Sequence, residues 1–283
     1  MTRVLVTGAA GMLGGDVVRA ARARGHECLG LARAQLDVSN ERSVETAIVR
    51  LAPEVIVNCA AWTDVEGAER DEPAALAVNG AGAGNIARAA ASAGARVVQV
   101  STDYVFDGSA TRPYVESDPT RALSAYGRTK LAGEEAVIAA SPEHAVVRTA
   151  WLFGPGGKNF VTTMLRLGAG AGDELAVVTD EVGCPTFTGH LAPRLVELAE
   201  RRAAGVFHLA GAGHCSRNTF AQAIFEAAGM QLRVSATTQQ ELAMAAPRPP
   251  WSVLGSERGV EPLPSWQEGL AAYRAIAPAV FGR

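Results

Sequence analysis

Tyr126 and Lys130 stand four residues apart in Tyr126-Gly127-Arg128-Thr129-Lys130, a spacing that on a helix sets both side chains on one face about one turn apart. A phenol and an ammonium so placed suit carbonyl reduction. Hydride delivery leaves a developing alkoxide that needs a proton donor, yet a free tyrosine ionises near ~10 and is a reluctant acid or base at neutral pH. A neighbouring ammonium stabilises the phenolate and draws that pKa toward the working range, and Lys130 would do so while holding a nicotinamide ribose. Upstream, Val97-Val98-Gln99-Val100 runs into Ser101-Thr102-Asp103-Tyr104, so hydroxyls emerge at the sheet edge where open α/β folds bind ligands. Thr102 then hydrogen-bonds the substrate oxygen and turns it toward Tyr126. Alone, the Tyr/Lys pair is equally well an exposed helix pair. Chemistry becomes the better reading because a Thr-bearing strand end and an N-terminal glycine turn precede it in the correct order.

That turn is Val4-Leu5-Val6-Thr7-Gly8-Ala9-Ala10-Gly11-Met12-Leu13-Gly14, a GxxGxxG between a strand and a helix. A dinucleotide pyrophosphate needs a turn tight enough to require glycine, backbone close enough to touch oxygen, and a helix N-terminus whose free N–H groups face the charge. Gly8, Gly11 and Gly14 fill those roles in that order, with Met12 and Leu13 leading the helix. The alternative is an ordinary strand-to-helix turn. After the second expected strand, Cys28–Ala32, comes Arg33, where an NAD-preferring site usually supplies an acid for the ribose 2′-hydroxyl. An arginine there meets a 2′-phosphate, favouring NADPH over NADH, or is a solvated surface residue. Asp37-Val38 and Ala60-Ala61-Trp62 follow strand-like runs and should flank the adenine and nicotinamide halves.

The elements that must position these groups alternate: strands at Val4–Thr7, Val55–Cys59, Val97–Val100 and Ala145–Arg148, helices after Gly11, through Ala74–Ala93 and over Ser124–Ala140. This predicts an α/β fold, a Rossmann-type doubly wound parallel sheet with helices on both faces, because the strand cores are continuously apolar. Residues 1–150 should form the dinucleotide-binding domain that carries the catalytic residues. Residues 151–283, with irregular pieces at Phe153-Gly154-Pro155-Gly156-Gly157, Gly183-Cys184-Pro185-Thr186 and Ala246-Pro247-Arg248-Pro249-Pro250, should form a smaller substrate lobe. Strand-like Gly205–Ala210 and helical Asn218–Ala228 are candidates to return to the main domain.

A formal net charge of -3 gives no general attraction to nucleic acid or an anionic membrane, so the expected partner is small. Cys28, Cys59, Cys184 and Cys215 lack any CxxC pairing, which points to reduced, buried thiols in the cytoplasm. No signal peptide or membrane span is recognisable.

The segments Ser101-Thr102-Asp103-Tyr104-Val105-Phe106-Asp107-Gly108, Tyr126 to Glu134, Arg148-Thr149-Ala150-Trp151-Leu152-Phe153, Asn159 to Leu167 and Arg248-Pro249-Pro250-Trp251-Ser252-Val253-Leu254 span most of the chain. In them the sequence resembles the dTDP-4-dehydrorhamnose reductase family of extended short-chain dehydrogenases. The resemblance implies reduction of the 4-keto group of a dTDP-4-keto-6-deoxysugar, with Tyr126 as proton donor and Lys130 as its electrostatic partner. It implies Thr102 and Asp103 as substrate-side polar contacts, Thr63 beside them, and Trp151 as a pocket wall, although Trp151 taken alone reads as core packing. Arg248, in a Pro-bounded segment of restricted backbone, would present its guanidinium to the substrate diphosphate; otherwise it is a solvated loop residue. A homodimer is compatible with the resemblance. Some relatives hold Mg²⁺ at a dimer contact, but no cluster here supports a metal. The chain departs from the family at Glu66 and Gly255, where aspartates are frequent.

Two other functions share these motifs. A 4,6-dehydratase or epimerase uses the same Tyr and Lys, but a dehydratase has Thr-Asp-Glu at the strand end where this chain has Tyr104, and a phenol does not readily replace that carboxylate. A non-catalytic subunit like that of methionine adenosyltransferase would not need Thr102, Tyr126 and Lys130 intact.

Overall fold

The computed structural model describes Met1 to Gly282. Six strands form the main sheet: β1 (Arg3–Thr7), β2 (Glu27–Leu31), β3 (Val55–Asn58), β4 (Arg96–Thr102), β5 (Ala145–Thr149) and β6 (Gly205–His208). They are all parallel, in the order β6-β5-β4-β3-β1-β2. Every residue of β3 and β5 is buried, as continuous Val/Ile runs demand when helices cover both faces. The chain reverses its lateral direction between β1 and β3, and open α/β sheets bind ligands outside the carboxyl ends of strands at such a switch.

On one face pack α1 (Met12–Ala23), through Leu13, Val17 and Ala21, and α6 (Thr188–Glu200), through Leu191, Leu195 and Val196. On the other lie α2 (Glu41–Leu51) and α3 (Ala83–Ser92), with Val44, Ile48, Ile86 and Ala90. Beside them α4 (Ala125–Ala140) places Val137 against Ala83, Ala87 and Val146. Thus β6 and α6 come from beyond residue 150 and complete the N-terminal sheet.

A second core gathers Phe153, Val161, Met164, Phe220, Ile224, Phe225, Trp266 and Tyr273. It is built by α5 (Phe160–Gly168), α7 (Arg217–Ala227) and α8 (Trp266–Ile276), with Glu174–Val178 paired in parallel to Arg233–Thr237. The segment around Ser252 laces the two parts together. Ser252 N donates to Val182 O at 2.8 Å, and Tyr114 N donates to Val253 O at 2.8 Å. No helix among the described residues is long and apolar enough to cross a membrane.

Candidate active site

The turn after β1 is shaped by two close approaches. Gly8 has φ +64°, and a Cβ there would lie 2.7 Å from Ala60 N and Cys59 C at the end of β3; a Cβ on Gly14 would lie 2.3 Å from Gly8 O. Only glycine lets the turn, the first helical residues and the end of β3 crowd together at the switch. Gly11 is the N-cap of α1 and offers no side-chain cap, and the first turn holds no acid. The leading amides of α1 therefore lack a protein acceptor and form a ready anion cradle.

This cradle is one wall of a cavity of about 490 Å³. Gly8, Gly11, Met12, Leu13 and Gly14 line it, as do Arg33, Asp37 and Val38 beyond β2, Ala60, Ala61, Trp62 and Thr63 beyond β3, and Tyr126 and Lys130 from α4. Every residue expected at the cofactor thus borders one space, and Thr63, expected on the substrate side, borders it too. Sequence reasoning missed Leu36, Cys59, Leu152 and the 156–158 loop, which also line it. Asn79 was missed as well. It is buried, accepts from Trp62 N at 2.8 Å and donates to Thr129 Oγ1 at 3.1 Å, tying the Trp62 loop to the helix of Tyr126 and Lys130.

Ser124 caps α4 by accepting from Gly127 N at 3.1 Å, which starts the helix one residue before Tyr126. The Tyr126 ring keeps an exposed edge on the cavity, yet the surrounding protein desolvates its hydroxyl and raises its pKa above the ordinary value. The Thr102 hydroxyl opposes that rise by hydrogen bonding, while Asp103 and Tyr104 add to it. The expected lowering by Lys130 does not appear, since Lys130 is not among the groups acting on this phenol. Lys130 Nζ donates to Val100 O at 2.6 Å, and burial lowers its pKa to about 8 against the nearby Glu134 and Cys59. Burial disfavours charge on both partners, so the phenol stays neutral and the ammonium is held at the end of β4. Beneath them Glu134 receives three bonds from the Arg148 guanidinium and one from Ser101 Oγ, all buried.

Thr102, Asp103, Trp151 and Arg248 do not line the cavity. Thr102 Oγ1 donates to Asp103 Oδ1 at 3.1 Å; Asp103 Oδ2 has no partner, and burial pushes this carboxyl up to about 6 against the opposing effects of Ser252, Thr102 and Arg217. Trp151, at φ +46°, carries the Arg217 guanidinium 3.4 Å from the centre of its ring, and its indole N–H is buried without an acceptor. Arg217 Nε also pairs with Glu181 at 3.2 Å. Arg248 is neither solvated nor free for a ligand: it meets Glu66 at 2.8 Å and Glu181 at 3.7 Å with its side chain 14% exposed. Arg217 and Glu181 were not anticipated, since nothing in their local sequence marks them.

The family described as RmlD substrate binding domain matches residues 1–277. The dTDP-4-dehydrorhamnose reductase of Streptomyces griseus is 44% identical over 99% of this chain and 95% of its own length. This chain belongs to the dTDP-4-dehydrorhamnose reductase family. Another relative, the dTDP-4-keto-6-deoxy-D-glucose reductase of Streptomyces niveus, is 42% identical over 95% of both chains. Among solved structures, the dTDP-4-dehydrorhamnose reductase of Bacillus anthracis in complex with NADP superposes with a TM-score of 0.93 at 34% identity, covering 97% of this chain and 99% of that one. The Rossmann-type sheet and the nicotinamide dinucleotide expected from the glycine turn both accord with this membership. Within the reductase family, the departure at Glu66 acquires a physical meaning, since its carboxylate holds Arg248.

Proposed function

We propose that this chain reduces the 4-keto group of a dTDP-4-keto-6-deoxysugar with NAD(P)H, converting dTDP-4-dehydro-L-rhamnose to dTDP-L-rhamnose. The observation that carries the reading is the single cavity joining the glycine turn to Tyr126 and Lys130. Gly8, Gly11 and Gly14, with the leading amides of α1, fit a dinucleotide pyrophosphate. Arg33, exposed at the cavity edge, suits a 2′-phosphate and favours NADPH.

When bound, the reduced nicotinamide supplies the hydride. Tyr126 gives its proton to the carbonyl oxygen of the sugar as negative charge develops there. A phenol raised by burial is fully protonated at neutral pH, so it starts in the form that reduction consumes. Thr102, whose hydroxyl moderates the rise of the Tyr126 pKa, shares the oxygen. Lys130 keeps its charge below about pH 8, holds the ribose edge and offsets the phenolate left behind. Asp103 and Trp151 lie outside the cavity, with unspent hydrogen-bond capacity at Oδ2 and Nε1, and would serve the sugar only from behind its lining. Tyr104 has a phenol pushed up to about 12 by burial, so the third residue of the strand end supplies no base for elimination.

Steady-state oxidation of NADPH with a set of dTDP-4-keto-6-deoxysugars tests the assignment. The 4-dehydrorhamnose derivative should exceed the 4-keto-6-deoxyglucose derivative in kcat/KM by roughly 10-fold or more, the discrimination a shaped pocket supplies. A reversed ratio would reassign the sugar, and no oxidation with any of them would overturn the reading.

A further inference from the structure

The chain has only two lysines, Lys130 and Lys158, and both line the cofactor cavity. Lys158 reaches it from the C-terminal part, directly after the irregular Phe153-Gly154-Pro155-Gly156-Gly157 segment. That loop is anchored. Asn159 caps α5 in a reciprocal capping box with Thr162, and its Nδ2 donates to Gly154 O at 2.9 Å and Gly157 O at 3.2 Å while lying 3.5 Å from Met12 Sδ. A Cβ on Gly157 would lie 3.5 Å from Met12 Cβ. The anchor therefore rests against the first residue of α1, where the amides of the anion cradle begin. Lys158 itself is exposed, and no ion pair among the described residues engages it.

The charges bordering the cavity explain what such a group is for. Arg33, Lys130 and Lys158 are cationic and Asp37 is the one acid among the lining residues. Arg33 sits beyond β2, on the adenosine side, and Lys130 is committed to the end of β4. Only Lys158 is carried to the mouth of α1. We propose that Lys158 is the side-chain countercharge of the dinucleotide pyrophosphate, supplied across the cavity by the C-terminal part of the chain. Backbone amides at a helix N-terminus place a phosphate but leave most of its charge uncompensated, and an ammonium on the opposite side completes the pairing. The inference rests on the cofactor reading above. It adds that the substrate part of the molecule closes on the cofactor through this loop, which continues directly into Phe160, whose ring lies under the Arg217 guanidinium at 4.9 Å.

Calorimetric titration of NADP⁺ and NAD⁺ into wild type, Lys158→Met, Lys158→Arg and Arg33→Ala separates the possibilities. Lys158→Met should weaken both nucleotides by the same factor of roughly 10, since both carry the pyrophosphate, and Lys158→Arg should restore most of the loss. Arg33→Ala should weaken NADP⁺ selectively. The thermal midpoint should not move, because Lys158 is exposed and unpaired. Unchanged affinity in Lys158→Met, a loss confined to NADP⁺, or a loss seen only in KM for the sugar nucleotide would each overturn the assignment. Failure of the wild type to bind either nucleotide would instead remove the cofactor reading beneath it.

Discussion

The proposed cofactor half and the proposed substrate half of this site are built on opposite plans. Around the glycine turn the groups are backbone amides, small residues and side chains such as Arg33 and Lys158 that keep their charge open to solvent. Around Trp151 the groups are side chains already spent on one another: Arg217 stacked on the indole and paired with Glu181, and Arg248 shared between Glu66 and Glu181. The first plan suits a soluble ligand that must enter and leave on each turnover, because little protein rearranges and the helix terminus is charged from the start. The second suits discrimination, because a cluster held by packed ion pairs changes shape only at a cost. Tyr126 and Thr102 stand at the seam between them.

The largest effect should come from that seam. Tyr126→Phe retains the ring but removes the transferable proton, so kcat should fall by ~10²–10⁴-fold. NADP⁺ affinity should stay within about twofold of wild type, because the cofactor half does not depend on the hydroxyl. Activity within a few-fold of wild type would take Tyr126 out of its role, and a parallel loss of NADP⁺ affinity would dissolve the distinction between the halves.

Next in size is Arg248→Ala. It leaves Glu66 without its ion-pair partner and the buried Glu181 with Arg217 alone. Since Glu66 retains some exposure, the penalty should fall between those of exposed and buried pairs, about 1–3 kcal/mol. Thermal unfolding should shift down by several degrees and KM for the sugar nucleotide should rise, with the affinity for NADP⁺ unaltered. A midpoint that does not move would show that the packed plan of the substrate half carries no stability.

The smallest effect is one of pH. Burial lowers the Lys130 ammonium to about 8, with Glu134 and Cys59 the groups opposing that shift. The charge is present below that value and lost as pH rises through it, so kcat/KM should be level from neutrality to near pH 8 and then fall by about tenfold per further unit. A profile flat beyond pH 9 would place the working charge elsewhere.

The same contrast explains what could be read from the sequence. The cofactor half lies in short segments at strand ends, each carrying its own signature: glycines at a turn, Arg33 after β2, Trp62 after β3, and Tyr126 and Lys130 at helical spacing. The parallel sheet followed from apolar strand cores alternating with helical stretches. The cluster proposed for the substrate half joins Glu66, Trp151, Glu181, Arg217 and Arg248, five remote positions whose meeting depends on the lacing of the segment near Ser252 against Val182. Arg248 was legible as important but not as engaged, because its carboxylate partners sit 182 and 67 residues away. Asn79 was invisible for a similar reason: its role is to pin a loop to a helix, and no local pattern encodes that. The electrostatics of Tyr126 and Lys130 also escaped, since spacing reports proximity and burial reports charge.

Everything above turns on hydride moving from a nicotinamide dinucleotide to C4 of a dTDP-linked 4-keto sugar. Incubating the wild-type protein with NADPH deuterated at C4 of the nicotinamide and dTDP-4-dehydrorhamnose, then locating the label by NMR and mass spectrometry, tests it directly. One deuterium per sugar, at C4, with stoichiometric NADP⁺ formed, is the expected result. Deuterium at any other carbon, or a converted sugar with no label and no NADP⁺ released, would contradict it and return the protein to an internally cycling isomerase or dehydratase chemistry.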